Sequence, residues 1–171
     1  MSEILIAYFS HAGQNYSHGS IKELKVGNTE VVAKKIQKLT NGDLFYIDTI
    51  KQYPNDHMEK IKIAKEEYES NARPALKNTI SDFEKYDEIY LGFPNWWTTM
   101  PMALFTFLES YDFSNKVIHP FITHGGSGFS NSIQDIKRLV PNAIVKSGLA
   151  INGDMVQYCD KELEDWIKGG K

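Results

Sequence analysis

Short, almost uncharged apolar runs alternate along this chain with longer amphipathic ones, and the alternation sets the elements. Residues 3–9 contain Ile4-Leu-Ile-Ala-Tyr-Phe9, apolar at every position, as expected of a strand covered on both faces. Residues 28–39 place Val32, Ile36 and Leu39 at helical spacing, with Asn28 or Thr29 available as an N-cap and Asn41-Gly42-Asp43 as the stop. Leu44–Ile47 predicts strand two. Met58, Ile61, Ala64 and Tyr68 recur at three- and four-residue intervals and predict a helix over 55–71, halted before Pro74. Residues 88–93 predict strand three, 101–110 a helix begun by Pro101, and 117–123 strand four, where Pro120 removes one ladder donor. A helix over about 129–139 follows, then strand five in two pieces, 143–146 and 148–151, bulged near Gly148. Leu163, Trp166 and Ile167 mark a closing helix. Strands alternating with helices predict an α/β fold, a doubly wound five-stranded parallel sheet, as a single domain over residues 1–171. Residues 11–26, between strand one and its helix, show neither period and read as a long polar loop, a length that tends to carry function or motion.

Composition narrows the classes. With 171 residues, 42% hydrophobic and 24% charged, the chain is of globular type and long enough to bury a core without disulfides. A single cysteine, Cys159, excludes an internal disulfide and any cysteine-rich metal site. No uncharged run reaches the ~20 residues of a membrane span, and strand one begins at once without a signal-peptide pattern, so a cytoplasmic location and no membrane partner are expected. The net charge is −3, and Lys51, Lys60, Lys62 and Lys65 alternate with Asp56, Glu59, Glu66 and Glu67, which reads as a solvated helix face. Nucleic acid is therefore not an expected partner. His11, His18, His57 and His119 read as incidental or packing residues, no two histidines have metal-ligand spacing, and no metal site is expected.

The chemistry gathers in three loops. A doubly wound sheet brings the segments after strands one, three and four to one edge. After strand one come Ser10-His-Ala-Gly-Gln-Asn15, including Ala12, and then Gly27-Asn28-Thr29, whose hydroxyls and helix-start amides suit a phosphate. After strand three comes Pro94-Asn95-Trp96-Trp97, an aromatic loop suited to a planar ring. After strand four comes Thr123-His124-Gly125-Gly126-Ser127-Gly128, where missing side chains allow close backbone approach to polar ring edges. Taken alone, Gly27-Asn28-Thr29 reads as a helix cap, and His124 reads equally as a turn residue.

These residue types in this order resemble the flavodoxin family over nearly the whole chain. The resemblance implies a flavodoxin-like sheet of strand order 2-1-3-4-5 and one bound flavin mononucleotide (FMN). The family's phosphate loop looks split here, since Ser10 and Gly27 lie 17 positions apart. By resemblance Ser10 and Thr29 are the leading phosphate contacts with Asn28 supporting, Gly92-Phe-Pro-Asn-Trp-Trp97 is the first ring loop, and Thr123–Gly128 the second. A dry, slightly acidic setting around the ring would disfavour the anionic reduced flavin. In this reading the cofactor carries the electron chemistry and no catalytic acid or base is required. Two roles stay open: an electron carrier serving redox partner proteins, and an NAD(P)H-dependent FMN oxidoreductase acting on quinone-like acceptors. A serine hydrolase built on Ser127 is remote, because Phe129 stands where Gly-x-Ser-x-Gly needs its last glycine. A receiver-type signalling domain lacks the acidic residues it needs after strands one and three.

Overall fold

The apolar run at the start of the sequence becomes the middle of a sheet. The computed structural model describes residues 3–17 and 19–169, so His18 lies outside the described residues. In chain order come β1 (Glu3–Tyr8), β2 (Gly13–Ser17), β3 (Ser20–Leu24), α1 (Asn28–Thr40), β4 (Asp43–Tyr46), α2 (His57–Glu69) and β5 (Tyr86–Pro94). Then follow α3 (Met102–Ser110), β6 (Val117–His124), α4 (Ser132–Leu139), β7 (Ile144–Val145), β8 (Leu149–Asn152) and α5 (Asp160–Gly169). The parallel sheet runs β4-β1-β5-β6-β7, with β8 also paired to β6, which is the expected order 2-1-3-4-5. Among the described residues no helix is long and apolar enough to cross a membrane.

Both faces of the sheet are covered, which is why its strands carry no polar alternation. Leu5, Ala7 and Phe9, with Ile89, Leu91 and Phe93, pack on one side with Leu104, Phe107 and Ile136 of α3 and α4. Ile6, Tyr8, Tyr90 and Phe121 point the other way, toward Val32 and Ile36 of α1 and Leu163 and Trp166 of α5. His119 belongs to this packing, as expected: its ring stacks on Tyr90 at 4.6 Å and Nε2 lies 2.9 Å from Glu88.

Pro120 is accommodated by a break in the neighbouring strand. β6 advances three residues from Ile118 to Phe121 while its partner advances four, from Val145 to Leu149. The extra residue makes the bulge expected near Gly148, and the ladder is interrupted opposite Pro120, where its missing N–H costs no bond. Gly148 sits at φ +80°, and a Cβ there would lie 2.5 Å from the Pro120 carbonyl oxygen, so the position requires glycine.

Three expectations need correction. Residues 11–26 are not an irregular loop, because β2 and β3 pair antiparallel from Gly13↔Leu24 to Ser17↔Ser20. Neither Asn28 nor Thr29 caps α1; Gly27 occupies the N-cap with extended backbone, and the hydroxyl of Ser10 accepts the Glu30 N–H at 3.1 Å from a distant part of the chain. The inward face of α2 is also rotated from the expected one: Met58 and Tyr68 are exposed, whereas Lys60 is buried beside Ala64. The cause is position, since this face of α2 lines a cavity of mixed polar and apolar character instead of packing into the core.

Candidate functional site

A cavity of about 420 Å³ opens at the carboxyl ends of β1, β5 and β6, where the strand order reverses between β1 and β5. Its first wall is the junction of β1 and α1. Ser10 is buried, its carbonyl accepts the Tyr46 hydroxyl at 3.0 Å, and its own hydroxyl proton remains available because Oγ acts as acceptor for Glu30 N–H. Burial pushes the Tyr46 phenol up to about 12, so it stays a donor. Thr29, also buried, joins Thr123 through hydroxyls 2.8 Å apart, which fastens the start of α1 to the end of β6. The first helical hydrogen bond runs from Val31 N–H to Gly27 C=O, so the amides of Asn28 and Thr29 precede the ladder and carry the positive end of the helix dipole.

The second wall is the tryptophan loop. Trp96 and Thr99 exchange backbone hydrogen bonds around Trp97 and Thr98, both in the left-handed region at φ 51° and 67°. A branched residue such as Thr98 rarely adopts that conformation, and strain of this kind persists only where surrounding contacts hold it. The turn separates the two indoles. Trp96 is edge-on to Phe9 at 5.2 Å and to Tyr53 at 5.1 Å, anchored on the core while lining the cavity. Trp97 stands at the rim, 38% exposed, with Nε1 donating to the Ile61 carbonyl.

Thr123, His124 and Gly125 form the third wall. His124 Nδ1 accepts the Gly126 N–H at 2.9 Å, so it serves the turn and the cavity at once, and burial holds its pKa below the usual imidazole range. Asn95 Nδ2 donates to Ser127 Oγ at 2.6 Å, to Gly128 C=O and to Ser130 Oγ, tying the second and third walls together. Asn95 Oδ1 is buried and without a hydrogen-bond partner among the described residues.

Ser10, Asn15, Asn28, Thr29, Pro94, Asn95, Trp96, Trp97, Thr123, His124 and Gly125 all line the cavity. Ala12, Gly126 and Ser127 do not: Ala12 is turned to solvent, Gly126 donates to His124, and Ser127 holds Asn95 through its hydroxyl and accepts Ser130 Oγ on its carbonyl. The partner of Ser127 is thus an amide donor and not a base, which removes the footing of the hydrolase reading.

A fourth wall was absent from the sequence reading. His57, Lys60, Ile61 and Ala64 of α2 line the cavity, together with His11 and with Tyr16 of the hairpin. Gln14 fixes the hairpin to α2, its side-chain carbonyl accepting the His57 N–H at 2.9 Å and its backbone carbonyl accepting Lys60 Nζ at 2.7 Å. Tyr16 stacks on His57 and reaches across the mouth, with Cδ1 4.0 Å from where a Gly125 Cβ would stand. His11 and His57 are therefore wall residues and not incidental ones. Lys60, only 4% exposed, is no part of a solvated face. Burial lowers its pKa to about 8, leaving it charged at neutral pH. Burial first, and then Lys60, push the His11 imidazole down to about 4, so His11 is neutral and its Nδ1 can accept from Lys60 at 3.3 Å. The lining among the described residues holds one carboxylate, Asp154, and this one buried ammonium.

These features define a doubly wound α/β protein with its cavity at the topological switch point, the place where open parallel sheets take ligands. A family model described as flavodoxin matches residues 3–169, and the chain belongs to the flavodoxin family. Among solved structures it is similar to a candidate flavoprotein of Bacteroides uniformis, at 28% identity and TM-score 0.74 with 98% of each chain covered. A candidate flavoprotein of Bacteroides eggerthii matches at 25% identity and TM-score 0.74, over 99% of this chain and 98% of that one. A flavoprotein of Lactobacillus acidophilus, solved in complex with FMN, shares the fold at 20% identity and TM-score 0.68, over 92% of this chain and 97% of that one. A search of curated proteins finds no match.

Proposed function

We propose that the protein binds one FMN in this cavity and works as an electron carrier for protein partners. The observation that carries the reading is the convergence of three kinds of recognition on one cavity of suitable size: helix-start amides with Ser10 and Thr29, the plane of Trp96, and the glycine turn that begins at Gly125. Each fits a part of the cofactor. The hydroxyls and amides suit the phosphate, the indole suits the isoalloxazine face, and the glycine turn allows backbone to approach a polar ring edge. About 420 Å³ is within the range of cofactor sites, and membership of the flavodoxin family supports the same cofactor. Once bound, FMN supplies the electron chemistry, while the chain orients the ring and excludes water. The carrier role is favoured by the hairpin, since Tyr16 reaching toward Gly125 leaves little of the mouth for a second nucleotide beside the ring.

Phosphate recognition is tested by comparing FMN with riboflavin. Thr29→Ala is expected to weaken FMN by about ten- to one-hundredfold, the cost of one hydrogen bond to a charged group, and riboflavin far less. Equal losses of both ligands would assign Thr29 to folding, through its bond to Thr123. The role is tested by stopped-flow mixing of FMN-loaded protein with a nicotinamide donor, and separately with a general flavoprotein reductase. Slow reduction by the donor and fast reduction through the reductase is the expected pair of results. Fast reduction by the donor alone with turnover of a quinone would replace the carrier by an NAD(P)H oxidoreductase.

A further inference from the structure

Lys60 is out of place for a surface helix. Its ammonium is buried, and its two neighbours are neutral acceptors, the Gln14 carbonyl at 2.7 Å and His11 Nδ1 at 3.3 Å. Among the described residues no carboxylate pairs with it. An ammonium has three donors, so one remains beyond these two partners on a side chain that lines the cavity. The ammonium stands on the indole's side of the cavity, because His11, which it contacts, has its ring 6.4 Å from the Trp96 ring. A buried cation without an anionic partner is expensive in the empty protein, and such a charge is well placed to receive a negative one.

We propose, on the reading that FMN occupies this cavity, that Lys60 is the counter-charge for the reduced cofactor and sets the redox potential of the site. Two electrons taken up with one proton leave the flavin ring with one net negative charge that the oxidised ring lacks. A fixed ammonium beside the ring therefore favours the reduced form over the oxidised one, and binding that discriminates between oxidation states shifts the potential upward. The effect runs opposite to that of a slightly acidic setting, which would disfavour the anionic reduced ring. Lys60 is then a tuning residue. His11 assists by remaining neutral, which orients the ammonium without adding a second charge.

The same contacts also pin the hairpin, so the test must separate charge from anchoring. Lys60→Gln and Lys60→Met are compared with Lys60→Arg, and with Gln14→Ala, which loosens the hairpin without altering charge. Dissociation constants are measured for oxidised FMN and for FMN reduced with dithionite, alongside the midpoint potential. Lys60→Gln and Lys60→Met are expected to lose about tenfold in preference for reduced over oxidised FMN, equivalent to a fall of about 30 mV in the two-electron potential. Lys60→Arg should recover most of that preference, and Gln14→Ala should weaken both oxidation states alike. Lys60→Met guards against misfolding, because an apolar side chain leaves no buried charge behind. If the charge-removing variants weaken both oxidation states equally, Lys60 is an anchor and the proposal fails while FMN binding stands. If the wild-type protein binds FMN in neither state, the functional reading itself falls.

Discussion

Replacing Trp96 by alanine is expected to destabilise the protein by about 3 kcal/mol, the lower end of what removing a buried aromatic costs, whereas Trp97→Ala should cost under about 1 kcal/mol. The two indoles are adjacent in sequence but not in energetic role. Trp96 is half-buried and meets Phe9 and Tyr53 edge-on, so its loss opens a gap between the cavity and the core that neither ring can fill without leaving its own partners. Trp97 offers one exposed hydrogen bond to Ile61 and a Lys65 ammonium 5.7 Å from its ring, both screened by water. Urea unfolding of the two variants without flavin gives the comparison directly. Equal midpoints would mean that the loop rearranges to replace the Trp96 contacts, and the assignment of this residue to both core and cavity would be lost.

Gly27→Ala should cost about 2–4 kcal/mol, combining overpacking with the loss of one hydrogen bond. The sign is not obvious in advance. Gly27 has φ −63° and ψ 151°, a conformation alanine adopts freely, and by chain entropy alone the change would stabilise by roughly 0.4–1 kcal/mol. Space decides against it. A Cβ would overlap Ser10 Oγ and stand 2.9 Å from the His11 carbonyl oxygen, which is backbone and cannot turn aside. Ser10 can rotate away only by releasing the Glu30 N–H and surrendering the capping of α1. A double-mutant cycle with Ser10→Gly reads this out: the pair should lose clearly less than the sum of the two single changes, because the overlap exists only when both side chains are present. Strict additivity would show that the clash is with His11 alone.

The sheet was legible in the sequence because burial on both faces writes itself as uninterrupted apolar runs, as in Ile4–Phe9 and Ile89–Phe93. The three loops were legible because topology alone carries the ends of β1, β5 and β6 to one edge. The hairpin was not. Its strands bury no continuous apolar face, with Tyr16 and Ile21 both exposed, so the alternation that betrays a strand has no core to produce it. The α2 wall was hidden for the opposite reason. His57, Lys60, Ile61 and Ala64 follow the spacing i, i+3, i+4, i+7 of a buried helical face, but two of the four are polar, and a search for apolar periodicity settles on Met58 and Tyr68 instead. A polar pair placed within such a spacing, beside a helix flanking a glycine-rich edge, is the signal that was available.

The break opposite Pro120 has a consequence for the protein in concentrated solution. A sheet ends in two rows of unsatisfied backbone groups, and a long, flat row is a template on which another chain can build. Here one boundary is the four-residue β4, and the other is divided into two residues of β7 and four of β8 by the bulge at Gly148. A second molecule seeking to extend the main sheet meets at most four residues in register before the row stops or turns. The proline that lay awkwardly in a central strand thus helps to keep the outermost strand short and interrupted, and with it the tendency of these sheets to aggregate edge to edge.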